Sequence, residues 1–271
     1  MLKLNFNSFD YSKINQKIQQ FIKKYCQDQK VIVGLSGGID SALTCKLAVD
    51  ALGANRVKAL IIKNIRYTDE GLMIARQFAK DLKIEVIEIN TDDSRKTIID
   101  ETKPDLANFR KISSIDARIT DLIIRTIACR DNLIYLGTIN GTERLTGWYP
   151  KGALVGDFCP IGGLLKHQII ELAKFLKLPN QIIHSVSDDA SKICSGCGSL
   201  SEFKGISYQT LDKVLYYLEI GQSVKRLKVN EKIIKTILNR IKSVDHKKQV
   251  FSPYPKINMH LSSPTRSGIQ D

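Results

Sequence analysis

A chain of 271 residues is long enough to bury a sizeable core, as one large domain or two small ones. Its composition, 43% hydrophobic and 25% charged, is that of a soluble globular protein. No apolar run approaches the ~20 residues of a bilayer span, and the opening MLKLNFNSFDYSKINQKIQQ lacks the apolar core of a signal peptide, so a cytoplasmic location without a membrane partner is expected. The balance of 41 basic against 28 acidic residues, net +13, is compatible with a nucleic-acid partner. The lysines are spread along the chain rather than clustered, which favours a solvated surface serving anionic small-molecule substrates. Six cysteines stand at 26, 45, 129, 159, 194 and 197. Cys45, Cys129 and Cys159 lie in apolar or helical patterns typical of small buried residues, and free thiols are expected throughout.

In chain order, residues 12–25 read as an amphipathic helix, with Ile14, Ile18, Phe21 and Ile22 near helical spacing. Residues 31–35 are a short β-branched run, hence a buried strand. Residues 41–52 carry Leu43, Leu47, Ala48, Ala51 and Leu52 on one helical face, with Gly53 as C-cap. A second strand follows at 57–63. Thr68 caps a helix running to about 82, with Asp69 and Glu70 in its first turn. Residues 84–89 form a third strand with alternating apolar residues. A long helix at 111–131 places Ile112, Ile115, Ile119, Leu122, Ile123 and Ile127 on its buried side, and 133–136 is a fourth strand. Strands separated by helices of this length imply βαβ units and a parallel sheet, so the expected fold class is α/β, open and doubly wound. Beyond about 165 the strand signals stop, and helices are expected at 166–176, 208–219 and 230–243. The division expected is a single domain over 1–250 and an extended or frayed tail over 251–271, where three prolines and several serines occur.

The stretch VIVGLSGGIDSAL, residues 31–43, is the most informative. In an open parallel sheet, ligands bind at the carboxyl ends of strands near the topological switch point. A strand ending near Leu35 and a helix starting near Ser41 put Gly34, Ser36, Gly37, Gly38, Asp40 and Ser41 there. Gly37 and Gly38 allow the backbone close to an anion, with amides aimed at it, and the following helix adds positive partial charge. A GxxxxGK[ST] loop would supply a lysine for the β- and γ-phosphates, but none is present here. Asp40 instead offers a carboxylate suited to Mg²⁺, with hydroxyls from Ser36 and Ser41.

The SGGxDS string resembles the pyrophosphate loop of N-type ATP pyrophosphatases, which have an adenine nucleotide alpha hydrolase-like fold. Such enzymes cleave ATP between the α- and β-phosphates, a use that accounts for the missing lysine. Later segments, in chain order, resemble the ammonia-dependent NAD synthetase family in particular. NLIYLGTINGTERLTGWYPKG resembles the family's strand, Gly-Thr turn and acidic loop, the loop covering 141–146, and its Gly137, Thr138, Glu143, Gly147 and Lys151 match the GTxxxxExxxGxxxKxGD pattern. The segment 157–183, with its Lys-x-Gln, GISYQTLDKVL at 205–215 and DHKKQV at 245–250 resemble further family segments. The matches span about 30–250.

The resemblance implies a ligase that forms a carbon–nitrogen bond. The nicotinate carboxylate of deamido-NAD is adenylated by ATP, and ammonia then displaces AMP. It implies Mg²⁺ on Asp40 and Glu143, and transition-state stabilisation by Lys151 and the loop amides. By the same carry-over, Thr138 lies by ATP, Arg118, Lys151, Asp157 and Asp189 by the dinucleotide, and His246 and Lys247 close over it. Family members form homodimers, so a homodimer is expected.

Three departures stand out. The adenine segment reads LIIKNIRYTDEG, with Arg66 in place of an Arg-x-Pro-Tyr-Gly pattern. An acid is absent from 152–156. An acid- and proline-rich loop is replaced by SDDASKICSGCGSLSEFKG. Cys194 and Cys197 could form half a zinc site, a redox pair, or incidental thiols in a glycine-rich lid, and the lid is preferred. Neither a glutaminase segment nor an N-terminal cysteine nucleophile is present, so free ammonia or a separate partner is the expected nitrogen source. The alternatives are a related ligase that amidates another carboxylate, a tRNA-modifying enzyme using the cysteine pair, and a nucleotide sensor without activity.

Overall fold

The structure, a computed structural model, describes residues 6–65, 68–107, 109–184, 203 and 205–250. Its centre is a sheet of four parallel strands, β1 (Val31–Gly34), β2 (Val57–Lys63), β3 (Glu85–Asn90) and β4 (Ile134–Leu136), in the order β3-β2-β1-β4. Val31 pairs with Val57 on one side and Ile134 on the other. The chain steps outward from β1 to β3, then returns and lays β4 on the opposite side of β1. Strand order therefore reverses between β1 and β4, and a crevice opens at their carboxyl ends.

Strand β1 is apolar on both faces because helices cover both: Val31, Ile32 and Val33 are completely buried, whereas the edge strand β3 leaves Glu85, Val86, Glu88 and Asn90 exposed. On one face lie α1 (Tyr11–Cys26), α2 (Ile39–Leu52) and α3 (Asp69–Asp81), joined by α7 (Lys166–Phe175) from the second half of the chain. On the other, Ile124, Ile127 and Ala128 of α5 (Phe109–Asp131) pack on Ile32, Leu60, Ile62 and Tyr135. The helix before it, α4 (Asp92–Thr102), buries no residue and is tied to α5 by an Arg95–Asp116 ion pair of 2.8 Å. The second half adds α6 (Gly141–Thr146), α8 (Asn180–Ile183), α9 (Tyr208–Glu219) and α10 (Glu231–Ser243). Leu211, Val214, Leu215 and Ile237 bring α9 and α10 into the first core cluster.

The α/β, parallel-sheet expectation holds, and β2 has the bounds read from the sequence. Thr68 caps α3, its hydroxyl accepting from the Gly71 amide at 3.1 Å. Four expectations need correction. The helix after the glycine loop begins at Ile39 rather than Ser41, so Asp40 is already helical. Residues 141–146, read as loop, are helix α6. Leu122 is 66% exposed: at about 100° per residue it shares the side of α5 that carries the exposed Arg118 and Cys129. Cys129 is accordingly exposed, whereas Cys26, Cys45 and Cys159 are buried.

Candidate active site

The loop after β1 is shaped from within. The Leu35 amide still donates to Leu60 O at 2.8 Å. The chain then turns through Ser36, Gly37 and Gly38 into α2. Gly37 has φ +83°, and a Cβ there would lie 2.4 Å from Gly71 O, so both its backbone angle and its neighbour demand glycine. Ser41 is 5% exposed. Its Oγ donates to Gly38 O at 2.9 Å and accepts from the Ser36 amide at 3.2 Å; it braces the loop. Gly38 is the N-cap of α2 and supplies no side chain to its first-turn amides, which leaves them for an anion.

Asp40 projects from that first turn and is gripped from two distant parts of the chain. Asn140 Nδ2 donates to Asp40 Oδ1 at 3.0 Å, and Lys166 Nζ donates to Oδ2 at 2.5 Å. Asn140 stands beyond β4, across the switch point, and is the N-cap of α6. Its Oδ1 accepts from the Glu143 amide at 2.9 Å, while its own amide donates to Glu143 Oε2 at 3.1 Å. This capping box fixes Glu143 beside Asp40. Burial, and next the Asp40 charge, push the Glu143 carboxyl up to about 8, against the opposing pull of Lys166 and the Asn140 amide. Lys166 itself is 3% exposed.

This donor set fits Mg²⁺. Two hard carboxyl groups are held side by side, and the proton that burial and Asp40 keep on Glu143 is one a bound cation would displace. Among the described residues no group of three or more His, Cys, Asp or Glu could hold a metal. A pair of carboxylates completed by phosphate oxygens and water is the usual Mg²⁺ arrangement.

A second group lies along α5 and the segment 151–157. Arg118 Nη1 donates to Lys151 O at 3.3 Å, the Leu154 amide to Asp121 Oδ1 at 2.7 Å, and Arg125 Nη2 to Gly156 O at 3.5 Å. Asp157 accepts from the Tyr135 amide at 2.9 Å and faces Arg125 at 3.6 Å. Arg118 of α5 is thus set against the loop that carries Lys151 and Asp157, both exposed. Thr138 is half-buried just past β4. Lys247 Nζ donates to Gly147 O and Tyr149 O, both at 2.8 Å, bracing the turn that leads to Lys151, while His246 is exposed. Arg66, Asp189, Cys194 and Cys197 lie outside the described residues.

Lys166, Asn140, Asp121 and Arg125 were not singled out in the sequence as site residues. Lys166 carried two signals: it is the lysine of the Lys-x-Gln match, and a cation within the apolar run IGGLLKHQII. Asn140 carried a capping-box spacing to Glu143, and Asp121 an i,i+4 spacing to Arg125; neither spacing by itself separates a site from an ordinary helix.

A parallel sheet with a glycine-braced anion loop at its switch point, and two carboxylates beside it, defines an α/β nucleotide-binding protein of the adenine nucleotide alpha hydrolase-like class. The profile of the NAD synthase family matches residues 11–251, and the chain belongs to that family. It is 31% identical over 254 residues to the NH(3)-dependent NAD(+) synthetase of Methanocaldococcus jannaschii, covering 90% of this chain and 96% of that one. Its identity to the Pyrococcus furiosus protein of the same description is 30% over 259 residues, covering 92% and 95%. Among solved structures, NH3-dependent NAD synthetase from Campylobacter jejuni, in complex with nitrate, superposes with TM-score 0.74 at 26% identity, covering 89% of this chain and 96% of that one. NMN synthetase from Francisella tularensis has the same fold, with TM-score 0.75 at 22% identity, covering 96% and 100%.

Proposed function

We propose that this chain catalyses the ATP-dependent amidation of deamido-NAD to NAD with ammonia. The observation that carries the reading is the meeting of Asp40, Asn140, Glu143 and Lys166 beside the glycine loop. As a member of the NAD synthase family the chain is a ligase forming a C–N bond, and a tRNA-directed or purely sensing role is not favoured.

In the first step the nicotinate carboxylate attacks the α-phosphorus of ATP, and the bond to the bridging β-phosphate oxygen breaks. Pyrophosphate leaves into the loop, where the amides of Gly37 and Gly38 and the α2 terminus hold its charge. Gly34 lets β1 end at the loop, and Ser36 and Ser41 keep its shape. In the second step ammonia adds to the acyl carbon, the acyl–oxygen bond to AMP breaks, and the nitrogen loses a proton to give the amide. Lys166, opposite Asp40, supplies positive charge at the polyphosphate. Lys151 does so at the carboxylate, and both strengthen as charge develops. Asp40 and Glu143 would hold Mg²⁺, which when bound neutralises phosphate charge. We assign Thr138 to the ATP side and Arg118, Asp157, Asp189, His246 and Lys247 to the dinucleotide.

We further propose a single catalytic unit over 1–250, with 251–271 as a tail. We expect it to act in the cytoplasm, where its substrates are; no helix among the described residues is long and apolar enough to cross a membrane. We propose a homodimer, as the family resemblance implies, with the exposed Leu122 of α5, 66% accessible, as a candidate contact. Light scattering on the purified chain checks that.

The test of activity incubates purified protein with ATP, Mg²⁺, ammonium and deamido-NAD, with nicotinate mononucleotide as a parallel substrate. NAD and AMP forming one to one, both lost in Asp40→Ala, is expected. A folded protein that makes AMP and amide only from the mononucleotide, or from neither, overturns the reading.

A further inference from the structure

The two residues that grip Asp40 sit at or beside the starts of two short-range elements, α6 and α7, and neither helix is fixed by its own sequence alone. Both are tied to one side chain on a third helix. Asp212 of α9 is completely buried. Its Oδ1 accepts from Thr142 Oγ1 at 2.6 Å and its Oδ2 from the His167 amide at 2.7 Å. Thr142 Oγ1 in turn accepts from the Lys166 amide at 2.8 Å. The first two amides of α7 are therefore capped from outside the helix, by a carboxylate on α9 and a hydroxyl on α6. Thr142 directly precedes Glu143, and Lys166 is the first residue of α7.

The direction of each bond is determined. The Thr142 hydroxyl accepts from a backbone amide, so its proton goes to Asp212, and both Asp212 oxygens act as acceptors. A charged group in an apolar core is retained at a cost in desolvation, and burial pushes this carboxyl up to about 7, with Thr142 and the His167 amide opposing the rise. A neutral apolar residue at 212 would fill the space without that cost, but it would leave the His167 amide and the Thr142 hydroxyl proton without their acceptor. A helix start held by a buried carboxylate is directionally specified in a way that apolar packing is not.

We propose that Asp212 is a positioning residue for the ATP end of the site. Through Thr142 and the α7 amides it sets where Lys166 and Glu143 stand relative to Asp40, without itself touching substrate. Loss of the cap releases the first turn of α7 and lets Lys166 Nζ leave Asp40, which loosens the grip on polyphosphate while the ammonia step keeps its own groups.

The proposal rests on the NAD synthetase reading for its kinetic arm and on ATP binding for the other. Thr142→Val, which keeps shape and removes the hydroxyl, Thr142→Ser, which restores it, and Asp212→Asn are compared with the native chain. Each is measured for KM of ATP, KM of ammonium, kcat, and ATP·Mg²⁺ affinity by calorimetry, with thermal unfolding as a check that the fold persists. Thr142→Val and Asp212→Asn should each raise KM and Kd for ATP at least tenfold and leave KM for ammonium within twofold. Thr142→Ser should stay within threefold of native, and the double variant should be no worse than the poorer single one, because both substitutions cut the same chain of bonds. Folded Thr142→Val with native ATP affinity overturns the proposal, as does a Thr142→Ser that behaves like Thr142→Val. A native chain that binds ATP but makes no NAD refutes the activity reading alone; the affinity comparison still decides the role of Asp212.

Discussion

Replacing Glu143 by Gln should stabilise the ligand-free protein at neutral and alkaline pH while abolishing most of its activity. Gln retains the capping box, since its Oε1 can accept from the Asn140 amide as Glu143 Oε2 does at 3.1 Å. What it removes is a carboxyl raised from 4.5 to about 8 by burial and by the neighbouring Asp40. A raised carboxyl means the native state keeps a proton that the unfolded chain releases. Between pH 4.5 and about 8 the native chain therefore loses stability as pH rises, at up to about 1.4 kcal/mol per pH unit. From pH 6 to 7.5 that is about 2 kcal/mol, or roughly 5 °C in Tm for a chain of this size. Asp212, also raised to about 7, slopes the same way in both proteins and cancels in the comparison. Thermal unfolding of the two proteins at pH 5, 6, 7 and 8 measures the difference. The Tm of Glu143→Gln should pull ahead of the native chain steadily over that range, and Mg²⁺ with ATP should close the gap by favouring the native carboxylate. Turnover should fall at least a hundredfold, the order expected for a lost metal ligand. Parallel pH profiles for the two proteins would refute the juxtaposition of Glu143 and Asp40.

Lys166→Met removes a cation whose side chain is 4% exposed from an Asp40 whose side chain is 21% exposed. Breaking a fully buried pair costs about 3–5 kcal/mol, and the solvent access of Asp40 reduces this to about 2–3 kcal/mol. A drop of roughly 7 °C in Tm with a large loss of turnover is expected; native turnover would show that Lys166 has no part in the chemistry. In Gly37→Ala a left-handed backbone angle costs about 1–2 kcal/mol, and the Gly71 carbonyl must move away from a Cβ at 2.4 Å. ATP affinity measured by calorimetry should fall at least tenfold, and an unchanged affinity would mean that the loop does not carry the phosphates.

Much of the fold was legible because the controlling signals are local. The β-branched run of β1, the Thr68 cap and the apolar stripe of α1 each lie within a few consecutive residues. Helix α4 left no such trace, since a helix with no buried residue has no apolar stripe to read. Helix α6 is six residues long, too short for periodicity to declare, and its real signal was the Asn140 and Glu143 capping box. Leu122 was misplaced because an apolar residue on a long helix need not face the core.

The sequence by itself determined the α/β class, the glycine loop and the acid that follows it, because strand, turn and helix start are contiguous there and their chemistry is set by neighbours. It also carried the family, through motifs kept in chain order. Only the tertiary structure decided what Asp40 meets. Asn140 is 100 residues away and Lys166 is 126, and Asp212 reaches Thr142 across 70. Those meetings depend on β4 crossing back to lie beside β1 and on α7 packing against α2. The physical reason is that local periodicity specifies which face of each element is buried, whereas strand order and helix docking specify which buried faces meet.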